Sequence, residues 1–119
     1  ILVIDDDPEV VDVLITCLRE EGYGVSSALT SDEGLKLVIL SRPDLVLLDI
    51  LLPGGMNVIE ALKRIRSIAP TTKVIMVTGS TDLVLAREAL EVGALAYVDK
   101  PFDFAYLKRV VAMALRQEI

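Results

Sequence analysis

The chain has 119 residues, of which 53% are hydrophobic and 25% charged, a balance typical of one globular domain rather than of a disordered segment. A net charge of −6 argues against direct nucleic-acid binding, and no apolar run approaches the roughly 18 residues that would span a membrane. The sequence has no histidine, which excludes Ser-His and Cys-His catalysis and His-ligated metals. Its single cysteine excludes an internal disulfide and favours a reducing, cytoplasmic location.

The first strand, helix and second strand are marked by simple signals. Ile1–Ile4 is an apolar run that predicts a strand, and Asp7 followed by Pro8 is typical of a helix start. Gly22 ends that helix, and Tyr23–Ala28 predicts a second, weaker strand. Because the chain begins inside a strand pattern without an initiator Met, we expect it to be an excerpt of a longer protein.

The second helix has a capping-box start and a proline end. Thr30 and Glu33 have the spacing at which each side chain can bind a free backbone N–H of the first turn. Pro43 ends the helix, since it cannot continue one. The apolar residues expected to face inward are Leu35, Val38 and Ile39.

The third strand is the centre of the pattern. Leu45–Leu48 is apolar without alternation, which predicts a strand covered on both faces, as in the middle of a parallel sheet. Asp49 follows directly, and Pro53 cannot donate to a ladder, so the strand has ended by then. A carboxylate at the carboxyl end of such a strand lies where open α/β folds bind their ligands.

The second half continues the alternation with one turn, three helices and two strands. These are a turn over 54–57, a helix opening near Val58 and ended by Pro70, the strand Val74–Val77, a helix from about Asp82 to Glu91 ended by Gly93, the strand Leu95–Val98 and a last helix capped by Asp103.

Five strand–helix units in strict alternation predict an α/β fold. The expected architecture is a five-stranded parallel sheet with right-handed crossovers and helices on both faces. In such a sheet the carboxyl ends of the strands share one edge, so the polar residues that follow them should gather there. Those residues are Asp5, Asp6, Asp49, Thr78 and Lys100.

The residue types at this edge indicate phosphoryl chemistry. Two carboxylates ~5 Å apart repel by about 3 kcal/mol at an effective dielectric near 20, so the cluster must raise a pKa or bind a cation. Ligand sets made only of oxygen favour Mg²⁺, with Mn²⁺ as the alternative. Lys100 supplies a positive charge and Thr78 a hydroxyl donor for phosphoryl oxygens, and an Asp carboxylate can attack phosphorus.

Each residue also has a purely structural interpretation when taken alone. Asp7 is expected to be a helix cap, Tyr97 a core residue and Cys17 a packing residue. Lys100 alone would be a solvated lysine, although the following Pro101 allows a cis bond that aims its side chain. The combination at neighbouring strand ends is what favours a site.

In this order, the motifs resemble the receiver domain of two-component response regulators along the whole chain. The residues that carry the resemblance are Asp5-Asp6, Asp49 with Pro53, Thr78-Gly79, Tyr97 and Lys100-Pro101-Phe102. The resemblance implies a single receiver domain over residues 1–119, with a flavodoxin-like fold and strand order 2-1-3-4-5.

The resemblance also implies a metal-dependent phosphoacceptor. Asp49 would accept a phosphoryl group from a phosphohistidine on a sensor histidine kinase or a phosphotransfer protein. Asp6, Asp49 and the backbone carbonyl of Leu51 would hold Mg²⁺, with Asp5 helping through water. The domain would catalyse only its own phosphorylation and dephosphorylation.

Finally, the resemblance implies a conformational switch. Thr78 and Lys100 would bind phosphoryl oxygens; Thr78 would then shift toward the phosphate and Tyr97 would turn inward. This would remodel the face made by the fourth helix, fifth strand and fifth helix, which could form a homodimer or contact an output domain following Ile119. Leu51 and Ser80 flank the phosphoryl position and would tune its lifetime.

Two other functions compete with this one. Asp5 and Asp7 match the Asp-x-Asp motif of haloacid-dehalogenase phosphatases, in which Asp5 would be the nucleophile, but the chain is short for that family and shows no cap domain. A receiver-like module that no longer takes phosphate is the second, and the presence of Asp49, Thr78 and Lys100 argues against it.

Overall fold

A computed structural model describes residues 1–49, 57–79 and 83–116, with the side chain of Leu83 excepted. The elements alternate as predicted. They are β1 (Leu2–Ile4), α1 (Pro8–Glu20), β2 (Ser26–Ala28), α2 (Ser31–Ser41), β3 (Leu45–Asp49), α3 (Val58–Ile68), β4 (Lys73–Thr78), α4 (Leu83–Val92), β5 (Ala96–Asp99) and α5 (Phe104–Leu115). Predictions for Leu51, Pro53, residues 54–56, Ser80 and Asp82 lie outside the described residues.

The five strands form one parallel sheet in the order β2-β1-β3-β4-β5, which confirms the flavodoxin-like prediction. All five residues of β3 are buried, as expected for a strand covered on both faces. Asp49 is still part of β3 and pairs with Val77, so the strand runs one residue further than its apolar run.

Two apolar layers cover the two faces of the sheet. Successive side chains of a strand point to opposite faces, so Leu45 and Leu47 of β3 pack with α1 and α5, whereas Val46 and Leu48 pack with α2, α3 and α4. The acidic edge therefore lies above two separate cores. In the described ranges, no helix has both the length and the apolar character to cross a bilayer.

Side-chain caps explain where four helices begin. The predicted caps are confirmed: Asp7, Thr30 and Asp103 each accept a hydrogen bond from a backbone N–H in the first turn. Asn57, predicted as a turn residue, caps α3 in the same way through the N–H of Glu60 at 2.8 Å. The capping box at Thr30 is only half formed, because the Glu33 carboxylate approaches the N–H of Leu29 at 3.5 Å instead.

Two sequence predictions were wrong in detail. Ile39 is 52% exposed. The buried face of α2 contains Gly34, Leu35 and Val38, and Ile39 lies outside this face. The second strand covers only Ser26–Ala28, since its partner β1 is equally short. Before it, the amino terminus of Ile1 donates to the carbonyl of Gly24 at 2.8 Å.

Candidate functional site

The predicted polar residues meet at the carboxyl edge of the sheet. Asp5 directly follows β1, Asp49 ends β3, and Thr78 ends β4. Carboxylate oxygens of Asp5, Asp6 and Asp49 lie within 4.8 Å of one another. The sheet order explains this, because β3 is paired with β1 on one side and β4 on the other.

Burial makes this cluster electrostatically unfavourable without a cation. Asp5 is 1% exposed and Asp49 is 5% exposed, whereas Asp6 is exposed to solvent. At 4.8 Å and an effective dielectric of 20, each pair of carboxylates repels by about 3.5 kcal/mol. Three carboxylates without nitrogen or sulfur ligands suit a hard divalent cation, and the exposure of Asp6 leaves room for the waters that Mg²⁺ retains. The residues therefore fit Mg²⁺, and Mn²⁺ as the alternative.

Lys100 supplies a positive charge inside the cluster. Its Nζ lies 2.8 Å from Oδ2 of Asp5 and 3.6 Å from Oδ2 of Asp49. Burial lowers the pKa of Lys100, but the hydrogen bond to Asp5 and the charges of Asp49 and Asp5 outweigh it, so this pKa lies above its ordinary value of 10.5. Lys100 is therefore an ammonium at neutral pH, and it is not the solvated lysine of the simpler interpretation.

The backbone around Lys100 is held in place on the strand side. Its N–H donates to the carbonyl of Thr78 at 2.7 Å, and the Lys100–Pro101 bond is cis, as the sequence allowed. Thr78 itself is 3% exposed. The ammonium thus lies near Asp49, and Thr78 ends β4, the strand that pairs with the strand of Asp49.

Asp5 is engaged through both carboxylate oxygens. Oδ1 accepts from the N–H of Asp7 at 3.0 Å, and Oδ2 accepts from Lys100. The Asp7 carboxylate binds the N–H of Glu9, as a helix cap does. Asp5 and Asp7 therefore do not form a paired Asp-x-Asp site, and nothing in this geometry favours the phosphatase.

The close contact between Lys100 and Asp5 is the feature that sequence reasoning missed. The sequence predicts that Lys100 binds phosphoryl oxygens, and no local signal indicates which carboxylate its ammonium contacts. Two simpler predictions have clear outcomes: Cys17 is buried, with burial raising the pKa of its thiol, and Tyr97 is 37% exposed rather than part of the core. Tyr97 lines a surface groove of about 450 Å³ with Leu90 and Tyr106.

Comparison with known proteins identifies the family. Residues 1–112 match the family described as the response regulator receiver domain. The chain is 38% identical over 111 residues to sporulation initiation phosphotransferase F of Bacillus subtilis, covering 93% of this chain and 89% of that protein. It is 40% identical over 117 residues to the DNA-binding response regulator MtrA of Mycolicibacterium smegmatis, covering 98% of this chain and 50% of that protein. Relative to the regulatory protein AtoC of Escherichia coli it spans a quarter of the length.

Solved structures give the same result. A CheY-like receiver domain protein from Methanospirillum hungatei superposes with a TM-score of 0.92 at 35% identity, covering 98% of this chain and 92% of that one. The receiver domain of NtrX from Brucella abortus superposes with a TM-score of 0.92 at 31% identity, covering 97% of both chains. With its sheet order, its acidic pocket and these matches, the chain belongs to the response regulator receiver domain family of two-component systems.

Proposed function

We propose that this domain is a phosphorylation-activated switch in which Asp49 accepts a phosphoryl group from a phosphohistidine. The donor would be a sensor histidine kinase or a histidine phosphotransfer protein, in a cytoplasmic setting. The observation that carries the proposal is the position of Asp49. Its carboxylate ends the central strand, lies within 4.8 Å of two other carboxylates and has the Lys100 ammonium at 3.6 Å.

The transfer needs one nucleophile and several positive or donor groups. A carboxylate oxygen of Asp49 attacks phosphorus, the P–N bond of the phosphohistidine breaks, and the imidazole leaves with the electron pair. The incoming phosphoryl group is an anion approaching an acidic cluster, so Lys100 and the hydroxyl of Thr78 are required to offset the repulsion.

A divalent cation completes this charge balance. Asp5, Asp6 and Asp49 would hold Mg²⁺, and the backbone carbonyl of Leu51, which lies outside the described residues, stays a predicted ligand. When bound, the ion neutralises charge that develops on the phosphoryl oxygens. The domain's own residues contribute position and charge, as is general in phosphoryl transfer.

Phosphorylation would then change the surface formed by α4, β5 and α5. Thr78 would shift toward the phosphoryl group and Tyr97 would turn inward from its half-exposed position. The size of such a population shift is limited by the energy of the new contacts at the phosphate. This surface would control an output domain or partner, or form a homodimer. An output domain is consistent with relatives of which this chain spans a half or a quarter.

The direct test is phosphorylation by a small-molecule donor. Incubation with acetyl phosphate and Mg²⁺ should add the mass of one phosphoryl group to the wild-type chain, but not to Asp49→Asn. Asp32→Asn is the matched control, since Asp32 is an exposed aspartate on α2, and it should be phosphorylated like the wild type. Retention of the added mass in Asp49→Asn would place the acceptor elsewhere and refute the proposal.

A wild-type chain that gains no mass would favour the constitutive binding module instead. Mg²⁺ titration followed by thermal melting separates these two cases. A working site should be stabilised by the cation, because the cation relieves the repulsion among Asp5, Asp6 and Asp49.

A further inference from the structure

The turn between β1 and α1 carries two of the three predicted metal ligands, Asp5 and Asp6. We propose that Asp7 is a positioning residue for this turn: by capping α1, it keeps Asp5 and Asp6 in the arrangement that binds the divalent cation. In this role Asp7 acts only through its two neighbours. This inference rests on the proposed function, because it concerns the metal site of the same pocket.

Three hydrogen bonds fix the position of Asp7. Its side-chain Oδ1 accepts from the N–H of Glu9 at 3.0 Å, and its carbonyl accepts from the N–H of Val11 at 3.0 Å. Its own N–H donates to Oδ1 of Asp5, also at 3.0 Å. The first two bonds belong to the start of α1 and the third reaches back to the acidic cluster, so Asp7 joins the helix to Asp5.

The bond between Asp7 and Asp5 closes a turn around Asp6. An aspartate side chain that accepts from the N–H two residues further on forms an Asx turn, which restricts the backbone of the residue between them. On the other side, the N–H of Asp5 donates to the carbonyl of Ala28 in β2 at 3.1 Å. Asp6 is exposed to solvent, and yet its backbone is held at both ends. The position of its carboxylate therefore depends on the bond from Asp7 to Asp5.

Helix α1 gives Asp7 a firm support, because its inner face packs against the sheet. Three residues of this face belong to the apolar layer under α1 and α5: Val11, Leu14 and Leu18. Replacing Asp7 by alanine removes the bond to Glu9, and the first turn of α1 then opens more readily. An open first turn withdraws the N–H of residue 7 from Asp5, so a smaller fraction of molecules has the turn that binds the cation.

The test measures Mg²⁺ affinity by isothermal titration calorimetry at constant ionic strength. Asp7→Ala should raise the Kd for Mg²⁺ about fivefold, which is equivalent to about 1 kcal/mol, the size of one lost helix cap. Asp7→Asn removes the charge but keeps a capping oxygen, so its Kd should stay within about twofold of the wild type. Thr30→Ala is the matched control, since it removes the equivalent cap of α2 and lies outside the acidic cluster, and it should leave the Kd unchanged.

A second measurement follows the bond to Asp5 directly and needs no metal. Solvent exchange of the backbone N–H at position 7, measured by NMR and corrected for residue type, should be about fivefold faster in Asp7→Ala than in the wild type. The rate in Asp7→Asn and in Thr30→Ala should match the wild type. The wild type also guards against a variant that fails to fold, because its Asp7 N–H should exchange at least about tenfold more slowly than in an unfolded peptide.

Two sets of results overturn the positioning role. The first is an unprotected Asp7 N–H in the wild type, or a Kd of Asp7→Ala within about twofold of the wild type. The second is an Asp7→Asn protein weakened as much as Asp7→Ala, because the charge of Asp7 and not its cap would then act on the site. Absence of Mg²⁺ binding in the wild type is a separate result that overturns the proposed function itself.

Discussion

Gly34 lies where α2 comes closest to β1, and its replacement by alanine tests how tightly these elements pack. A Cβ atom at Gly34 would lie 2.4 Å from Cδ1 of Ile4 and 2.9 Å from its Cγ1. Ile4 is 1% exposed and belongs to the apolar layer under α2, α3 and α4, so its side chain has little room to move. Such overpacking costs roughly 1–3 kcal/mol.

A second effect of Gly34→Ala has the opposite sign. Alanine is favoured over glycine inside a helix by about 1 kcal/mol, and Gly34 is the fourth residue of α2. The packing term should be the larger one, because two atoms of a buried side chain are involved. We expect Gly34→Ala to lower the free energy of unfolding by about 1 kcal/mol.

A double-mutant cycle with Ile4→Val isolates the packing term. Ile4→Val removes Cδ1, the nearest atom, and alone should cost roughly 0.5–1.5 kcal/mol. In the Gly34→Ala background it also relieves part of the clash, so its cost should fall by about 1 kcal/mol. The helix-propensity term cancels, since it is present on both sides of the cycle.

The assay is urea denaturation of the four proteins, followed by circular dichroism. Gly24→Ala is the control, because a Cβ there meets nothing within 4 Å, and it should change the stability by less than about 0.5 kcal/mol. A coupling energy below about 0.3 kcal/mol, or a Gly34→Ala protein more stable than the wild type, would refute the close packing.

Four further predictions concern polar groups that are buried or half-buried. Ser31→Ala should not lower stability, because the buried hydroxyl of Ser31 has no hydrogen-bond partner within the described part of the chain. Thr72→Val should lower the free energy of unfolding in urea by about 1–2 kcal/mol, because it loses the 2.7 Å hydrogen bond to the carbonyl of Pro43. The raised pKa of Lys100 adds stability below pH 10.5 that is lost as the pH rises through the folded-state pKa, so Lys100→Met should show a shallower loss of stability above pH 10.5. Asp49→Asn in EDTA should raise the free energy of unfolding by about 2 kcal/mol, because the repulsions from Asp5 and Asp6 outweigh the attraction to Lys100. The melting temperature of this variant should not respond to Mg²⁺. A variant less stable than the wild type would contradict this balance.

The sequence predicted those features that depend on local rules. Asp7, Thr30 and Asp103 cap helices because their short side chains reach the free N–H groups of the next turn, whatever the rest of the fold does. The meeting of Asp5 and Asp49 follows almost as directly, since carboxyl ends of parallel strands share an edge. The strand order itself came from the family resemblance, because alternation alone allows several orders.

Other features depend on tertiary packing and could not be predicted. Ile39 has the spacing of a core residue, but the face of α2 that packs on β1 is centred on Gly34, and Ile39 lies outside that face. The contact of Lys100 with Asp5 joins residues 95 positions apart in the chain. The ammonium lies 2.8 Å from Asp5 and 3.6 Å from Asp49, and no sequence pattern encodes so small a difference.

Burial of the acidic edge lowers the stability of the fold and also makes the energy of the site sensitive to nearby positive charges. Asp49 ends a strand covered on both faces, so its charge is poorly screened by water, and each carboxylate nearby raises its cost. For the same reason, a cation or an ammonium placed beside it changes the energy of the site by more than it would on the surface. The two apolar layers must supply the stability that this edge removes. A chain selected for stability alone would therefore be expected to lose Asp49, whereas one that takes up a phosphoryl group there must keep it.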